Sequence, residues 1–512
     1  MDVVSASVRR SGRVVLTMDR YFFDSNSAVD GCASRTEPGY EHMEWLRIQL
    51  QFLRDRGMKA IMSGHVPPAR NDEKVGWDET CWQKYTIWMQ QYRDIIVGSV
   101  YGHMNIEHFV LQDFKDIDYD RAAGIRHGKT QSSSKSDVNI MLNDAGYLNG
   151  LRRMWSKLPL APATLGWDGR EDPSGRNSAD ERSYYDKIGG KYAERFAVSH
   201  IAASVVPNYF PALRVYEYDI TGLEDFVVSP AAALSEPSPE LWYNDDEIDQ
   251  EEQYYTGVES KKRSFFGNPF SIFTPTITKK KKSHLIIPQP PSKHAPPGPA
   301  YSPQPLSWLG YTVYHANLTH INNDFNFTDS TSIESANLTS TQTLIDPLSH
   351  FPTTPEDVRP LRWNGGKHAG SYPRHQKPQP LNFTFELEYD TREHDDAYGL
   401  GNSSTVRAWL ELATRMGEFK PKKAKDHSAS VDDAQNPEDE EWVKIDLKDY
   451  LEEAHILDVE TTKKKKKHHG DGDDKGSKRR KKMVERTWFA FASRAVVGTL
   501  SEDEIVDKFG SD

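Results

Sequence analysis

The chain has 512 residues, with 64 Lys and Arg against 76 Asp and Glu, a net charge of −12, a mean hydropathy of −0.73 and 37% hydrophobic residues. This balance excludes a general nucleic-acid-binding protein, which needs a basic face, and it implies a core diluted by polar linkers. Two cysteines, Cys32 and Cys81, exclude a disulfide scaffold and a cysteine-based zinc site, and leave open whether one bridge forms.

No window reaches the ~18 consecutive apolar residues that a spanning helix requires. The first residues, MDVVSASVRRSGRVVLTMDRYFF, lack the apolar run and cleavage pattern of a signal peptide. In chain order, residues 13–23 read as a strand. Residues 41–56 place Met43, Leu46, Leu50 and Leu53 near helical spacing, with Gly57 set to end the helix. The strand Lys59–Met62 runs into Ser63-Gly64-His65. A loop with Val66-Pro67-Pro68 then leads to a helix over 78–92, whose apolar face is Cys81, Tyr85, Trp88, Met89 and Tyr92. A second strand, Ile95–Val100, runs into Tyr101-Gly102-His103.

Residues 121–190 are mostly polar. Residues 196–222 read as two strands of one sheet, alternating clearly over Leu213–Tyr218. A Pro-rich charged linker follows, then a helix over 405–416, a low-complexity charged stretch, and a last apolar segment, Thr487–Leu500. Acidic runs (Asp245–Glu252, Glu438–Glu441) alternate with lysine runs (Lys279–Lys282, Lys463–Lys467), which read as solvated charge or as sites for a polyanion. The acidic residues at 393–396 read as solvated linker charge. Five Asn-x-Ser/Thr sequons, at Asn317, Asn326, Asn337, Asn382 and Asn402, are dense enough to suggest glycan acceptors on luminal loops.

The chemistry concentrates in Gly64–Phe109. Two strands separated by one helix each end in Gly-His, and ligands of open α/β folds gather at such strand ends. Glycine allows a sharp turn or close approach, and neutral imidazole is a good ligand for Zn, Mn, Fe or Co. His65 and His103 are therefore candidate metal ligands.

Gly-His-x-Pro-Pro, the Trp/Tyr-rich helix and Gly102-His103-Met104-Asn105-Ile106-Glu107-His108-Phe109 resemble the fungal endopolyphosphatases, within the calcineurin-like metallophosphoesterases and related to acid sphingomyelinases. YFFDSNSAVDGC (21–32), EPGYEHMEWLRIQLQFLRDRG (37–57), PNYFPALRVYEYDITG (207–222), APPGPAYSPQPLSWLGYT (295–312) and RTWFAFASRAVVGT (486–499) carry the same resemblance, in order. It implies an α/β fold, the C-terminal half of a β-sandwich flanked by helices, followed by a long, partly disordered glycosylated region. It implies internal hydrolysis of inorganic polyphosphate at a two-metal site with divalent ions. His65 and His103 would hold the same metal. Asn105 falls where most of the superfamily has a second histidine, and would orient water or phosphate. His108 and Glu107 are further candidates for a supporting or substrate role. The resemblance also implies the vacuole lumen or vacuole membrane, reached through an N-terminal membrane anchor, and leaves room for an oligomer.

The family's other ligands sit in Asp-x-His, Gly-Asp-x-x-Asp and Gly-Asn-His motifs upstream, and none stands before residue 20. The expectation is an N-terminally incomplete chain, catalytically impaired, with unpaired sheet edges. Its organisation is then a partial metallophosphoesterase domain over 13–222 with the metal-site end at 59–109, a linker over 223–300, a luminal sequon-bearing region over 301–418, a low-complexity segment over 419–485 and an ordered end over 486–500. Two other functions compete: a non-catalytic luminal glycoprotein that binds polyphosphate, and a sphingomyelinase-like phosphodiesterase.

Overall fold

The computed structural model describes residues 5–8, 12–16, 19–70, 76–125, 144–162, 179–205, 209–222, 253–254, 285–292, 294–322, 381–421 and 472–510. The strands are β1 (Ser5–Val8), β2 (Gly12–Leu16), β3 (Lys59–Ser63), β4 (Ile96–Tyr101), β5 (His108–Asp113), β6 (Phe196–Ile201), β7 (Ala212–Tyr218), β8 (Gln253–Tyr254), β9 (Ile286–Ile287), β10 (Trp308–His315) and β11 (Glu386–Asp390). The helices are α1 (Pro38–Asp55), α2 (Glu79–Gln91), α3 (Tyr119–Ala122), α4 (Asp144–Trp155), α5 (Ala179–Ile188), α6 (Leu318–Asn322), α7 (Val406–Gly417), α8 (Gly472–Ala495) and α9 (Glu502–Phe509).

A six-stranded sheet runs β1-β2-β3-β4-β6-β5, with β2, β3, β4 and β6 mutually parallel and β1 and β5 antiparallel at the edges. The parallel β3–β4 pair needs a crossover, and α2 supplies it. Asp78 caps α2 by accepting from the Thr80 and Cys81 amides. Gly57, at φ +64°, closes α1 as its position suggested.

A second, antiparallel sheet, β11-β10-β7, stacks on the first. Trp308 lies over Gly98 of β4, where an added Cβ would come within 2.5 Å of the indole. His200 of β6 meets Trp308, Tyr216 and Tyr311 edge-on. The outer face of this second sheet leaves Leu213, Val215 and Leu387 exposed.

Several expectations change. The stretch 13–23 is a strand only to Leu16, then a 3-10 turn at Asp19–Tyr21 and an isolated bridge from Phe23 to Trp77. The two strands within 196–222 belong to different sheets, because β6 pairs with β4 and β5 while β7 pairs with β10. The linker ends earlier than residue 300: Leu285 and Ile286 are buried, and Arg54 donates to the Gln289 carbonyl. The region from 301 is no separate body, since β10 pairs with β7 and Trp409 of α7 packs on Phe109. Helix α8 begins at Gly472, inside the stretch expected to be low complexity. Asp396 is no solvated linker charge. Its carboxylate is 2% exposed and pairs with the Arg494 guanidinium.

Candidate functional site

β3 and β4 run parallel, with one register shift between Ala60 and Ile61, so both deliver their C-terminal residues to the same edge of the sheet. The Gly64 amide donates to the Val100 carbonyl, and the Gly102 amide to the His65 carbonyl at 3.0 Å. These bonds continue the ladder one step past the strands and bring the two histidines together. His65 Nε2 lies 3.3 Å from His103 Nδ1, with the rings edge-to-face at 5.1 Å between centroids. His65 is exposed and His103 half-buried. Burial, and secondarily the neighbouring His65, lowers the pKa of His103, which favours the neutral ring that can donate a lone pair.

The sharp turn after β4 is not made by glycine. Gly102 has ordinary φ, and a Cβ there would meet only van der Waals neighbours at 3.8 Å. The left-handed residues are His103 (φ +66°) and Asn105 (φ +57°). Such backbone costs a non-glycine residue about 1–2 kcal/mol and gathers at functional loops. Asn105 sits half-exposed on this loop, two residues from His103.

The rest of the motif turns inward. His108 is 3% exposed; its Nδ1–H donates to the Ile106 carbonyl, and its Nε2 accepts from the Tyr147 hydroxyl. Burial pushes its pKa down to about 3. Both ring nitrogens are thus occupied in the core. Glu107 is equally buried: its carboxylate accepts from the Tyr389 hydroxyl and pairs with Arg214 at 3.4 Å, and its amide donates to the Ala495 carbonyl. Burial raises the pKa of Glu107 against the pull of Arg214 and Arg494. Glu107 therefore ties the His103 loop to β7, β11 and α8.

Trp77, just before α2, and Trp82 on it have a specific task. Trp77 Nε1–H donates to the Val66 carbonyl and Trp82 Nε1–H to the Pro68 carbonyl, each at 3.0 Å, so the loop after His65 is pinned by two buried indoles. Phe23 approaches His103 edge-on at 5.3 Å. The sequence reading missed Phe23, Trp77 and Trp82; the available signal was the pair of tryptophans flanking Cys81. Cys32 and Cys81, left open above, are disulfide-bonded.

Among the sequons, Asn382 and Asn402 are exposed. Asn317 is 3% exposed and its side-chain oxygen accepts from the His320 amide, a place with no room for a glycan in this packing. Asn326, Asn337 and both lysine runs lie outside the described residues. Among the described residues no group of three or more His, Cys, Asp or Glu converges on one point, and no helix is long and apolar enough to cross a membrane.

No protein-family model matches the chain. Curated relatives do. The chain is 42% identical over 423 residues to an endopolyphosphatase of Neurospora crassa, covering 80% of this chain and 54% of that protein. It is 36% identical over 226 residues to one of Yarrowia lipolytica, covering 41% and 26%, and 28% identical over 431 residues to one of Saccharomyces cerevisiae, covering 78% and 55%. The chain thus spans about half the length, or less, of these relatives. By sequence, it is a homologue of the proteins named endopolyphosphatase across the fungi.

Proposed function

We propose that the chain is the histidine-bearing part of an endopolyphosphatase, which cuts inorganic polyphosphate internally into shorter chains with the help of divalent metal ions. The observation that carries this is the 3.3 Å approach of His65 and His103 in a chain so similar to a protein of that name. Two imidazole nitrogens at ~2.0–2.1 Å from one tetrahedral ion lie ~3.3–3.4 Å apart, so the pair fits a shared metal. A metal held there would polarise a phosphoryl oxygen and make bound water acidic enough to serve as nucleophile. His65 and the neutral His103 would hold it, and the Asn105 amide would orient phosphate at the same edge. The stacked sheets fit the sandwich of calcineurin-like metallophosphoesterases. The disulfide and the exposed sequons at Asn382 and Asn402 favour an oxidising lumen, and the family resemblance favours the vacuole.

A second reading has its own observation. With only two candidate ligands converging among the described residues, the chain suits a non-catalytic polyphosphate-binding glycoprotein.

The test is gel analysis of long-chain polyphosphate incubated with the protein and Zn²⁺, Mn²⁺ or Co²⁺. Intermediate lengths that vanish in His65→Ala and His103→Ala support the enzyme. Polyphosphate retained but uncut supports the binding protein. Cleavage of phosphocholine esters in place of polyphosphate would move the chain to the sphingomyelinase-like class.

A further inference from the structure

We infer that residues 19–32 form a positioning clamp for the His65–His103 pair, locked shut by the Cys32–Cys81 disulfide. The inference rests on the reading that this pair holds a metal. The segment has little regular structure of its own: a 3-10 turn at Asp19–Tyr21, then turns to Cys32. What fixes it is a set of contacts to the start of α2. The Asp78 amide donates to the Phe22 carbonyl, Phe23 bridges Trp77, and the Asp24 amide donates to the Gly76 carbonyl. At the other end the Cys32 amide donates to the Thr80 hydroxyl. Gly31, at φ +68°, lies so close to Asp78 that an added Cβ would fall 2.3 Å from its carboxylate oxygen.

The Phe23 end of this clamp reaches both histidines. The Phe23 ring presses edge-on against His103, and Trp77, bridged to Phe23, holds the carbonyl of Val66 next to His65. The disulfide joins the clamp to α2 across 49 positions of sequence, a loop that contains β3 and His65 itself. Opening it removes the covalent tie and leaves the segment held by its hydrogen bonds to residues 76–80 and by Phe22, which is buried against Trp77. The clamp makes the spacing of the histidines sensitive to the redox state of the compartment, so that the oxidised chain presents a preorganised pair.

The experiment uses the full chain. Hydrogen exchange at the Gly102 amide, which bonds His65, reads the clamp without any metal. Reduction, or Cys32→Ser with Cys81→Ser, is expected to speed this exchange about tenfold while β4 and β6 stay protected. Zn²⁺ alone is then titrated. Phe23→Ala, with the disulfide intact, is expected to weaken Zn²⁺ binding about tenfold. Phe23→Tyr, which restores the ring edge, binds as the unaltered chain does. If the double serine variant unfolds, Phe23→Ala decides by itself. Unchanged Gly102 exchange on reduction of a folded chain, or unchanged Zn²⁺ affinity in Phe23→Ala, overturns the clamp. Zn²⁺ binding that survives His65→Ala overturns the metal reading instead, and leaves the exchange result standing.

Discussion

The indole N–H of Trp77 donates to the carbonyl of Val66 at 3.0 Å, and both residues are almost wholly buried. The bond spans eleven residues and fixes the chain direction immediately after His65. Trp77→Phe keeps most of the ring bulk and removes the donor. The orphaned carbonyl should cost about 1–3 kcal/mol, read as a lowered urea midpoint with an unchanged slope. A midpoint like that of the unaltered chain would show that water replaces the indole.

The disulfide should contribute to stability by constraining the unfolded chain. For its sequence separation of 49, chain-entropy reasoning gives about 4 kcal/mol. Urea unfolding with and without reductant measures it. Equal midpoints would mean that the hydrogen bonds around Asp78 already hold the segment.

Stability should fall in acid for a specific reason. His108 and His42 are buried neutral, with pKa values pushed down by burial to about 3 and about 4. The unfolded chain binds these protons near pH 6.5, so below that pH it holds more protons than the native state. Stability contributed by the neutral rings is therefore present above pH 6.5 and lost as pH falls toward 3–4, at up to ~1.4 kcal/mol per pH unit for each ring. His108→Gln should flatten the dependence of the urea midpoint between pH 6 and 4, and an unflattened curve would count against the buried neutral ring.

His103 separates backbone strain from chemistry. At φ +66°, Asn is tolerated better than Ala, so His103→Asn should be about 1 kcal/mol more stable than His103→Ala. Both should lose Zn²⁺ binding equally. Thermal melts and Zn²⁺ titrations on the two variants check the split.

Glycan mapping should find Asn382 and Asn402 occupied and Asn317 empty in protein from a fungal secretory pathway. Asn317 is enclosed and caps α6, whereas the other two face solvent. Peptide mass spectrometry after enzymatic deglycosylation in heavy-oxygen water gives the answer, and an occupied Asn317 would contradict the packing around α6.

The local elements nearest the site were readable because their signals are short-range. The spacing of Met43, Leu46, Leu50 and Leu53 and the closing Gly57 act within one or two helical turns. The helices within 121–190 and the edge strand β5 escaped notice because their partners are remote. α4 packs against α7, and β5 earns its place only by pairing with β6. Asp396 looked like solvated linker charge for the same reason, since its partner Arg494 lies 98 positions away.

His65 and His103 themselves were legible from sequence alone, as was the crossover that makes their strands parallel, because a strand, a helix and a strand of these lengths leave few other arrangements. Their 3.3 Å approach, the left-handed turn at His103 and Asn105, and the inward rotation of Glu107 and His108 were decided only by tertiary structure. The physical reason is that ring orientation depends on what fills the space behind it. Here that filling comes from Phe23, Trp77, Tyr147, Arg214 and Tyr389, drawn from the whole length of the chain.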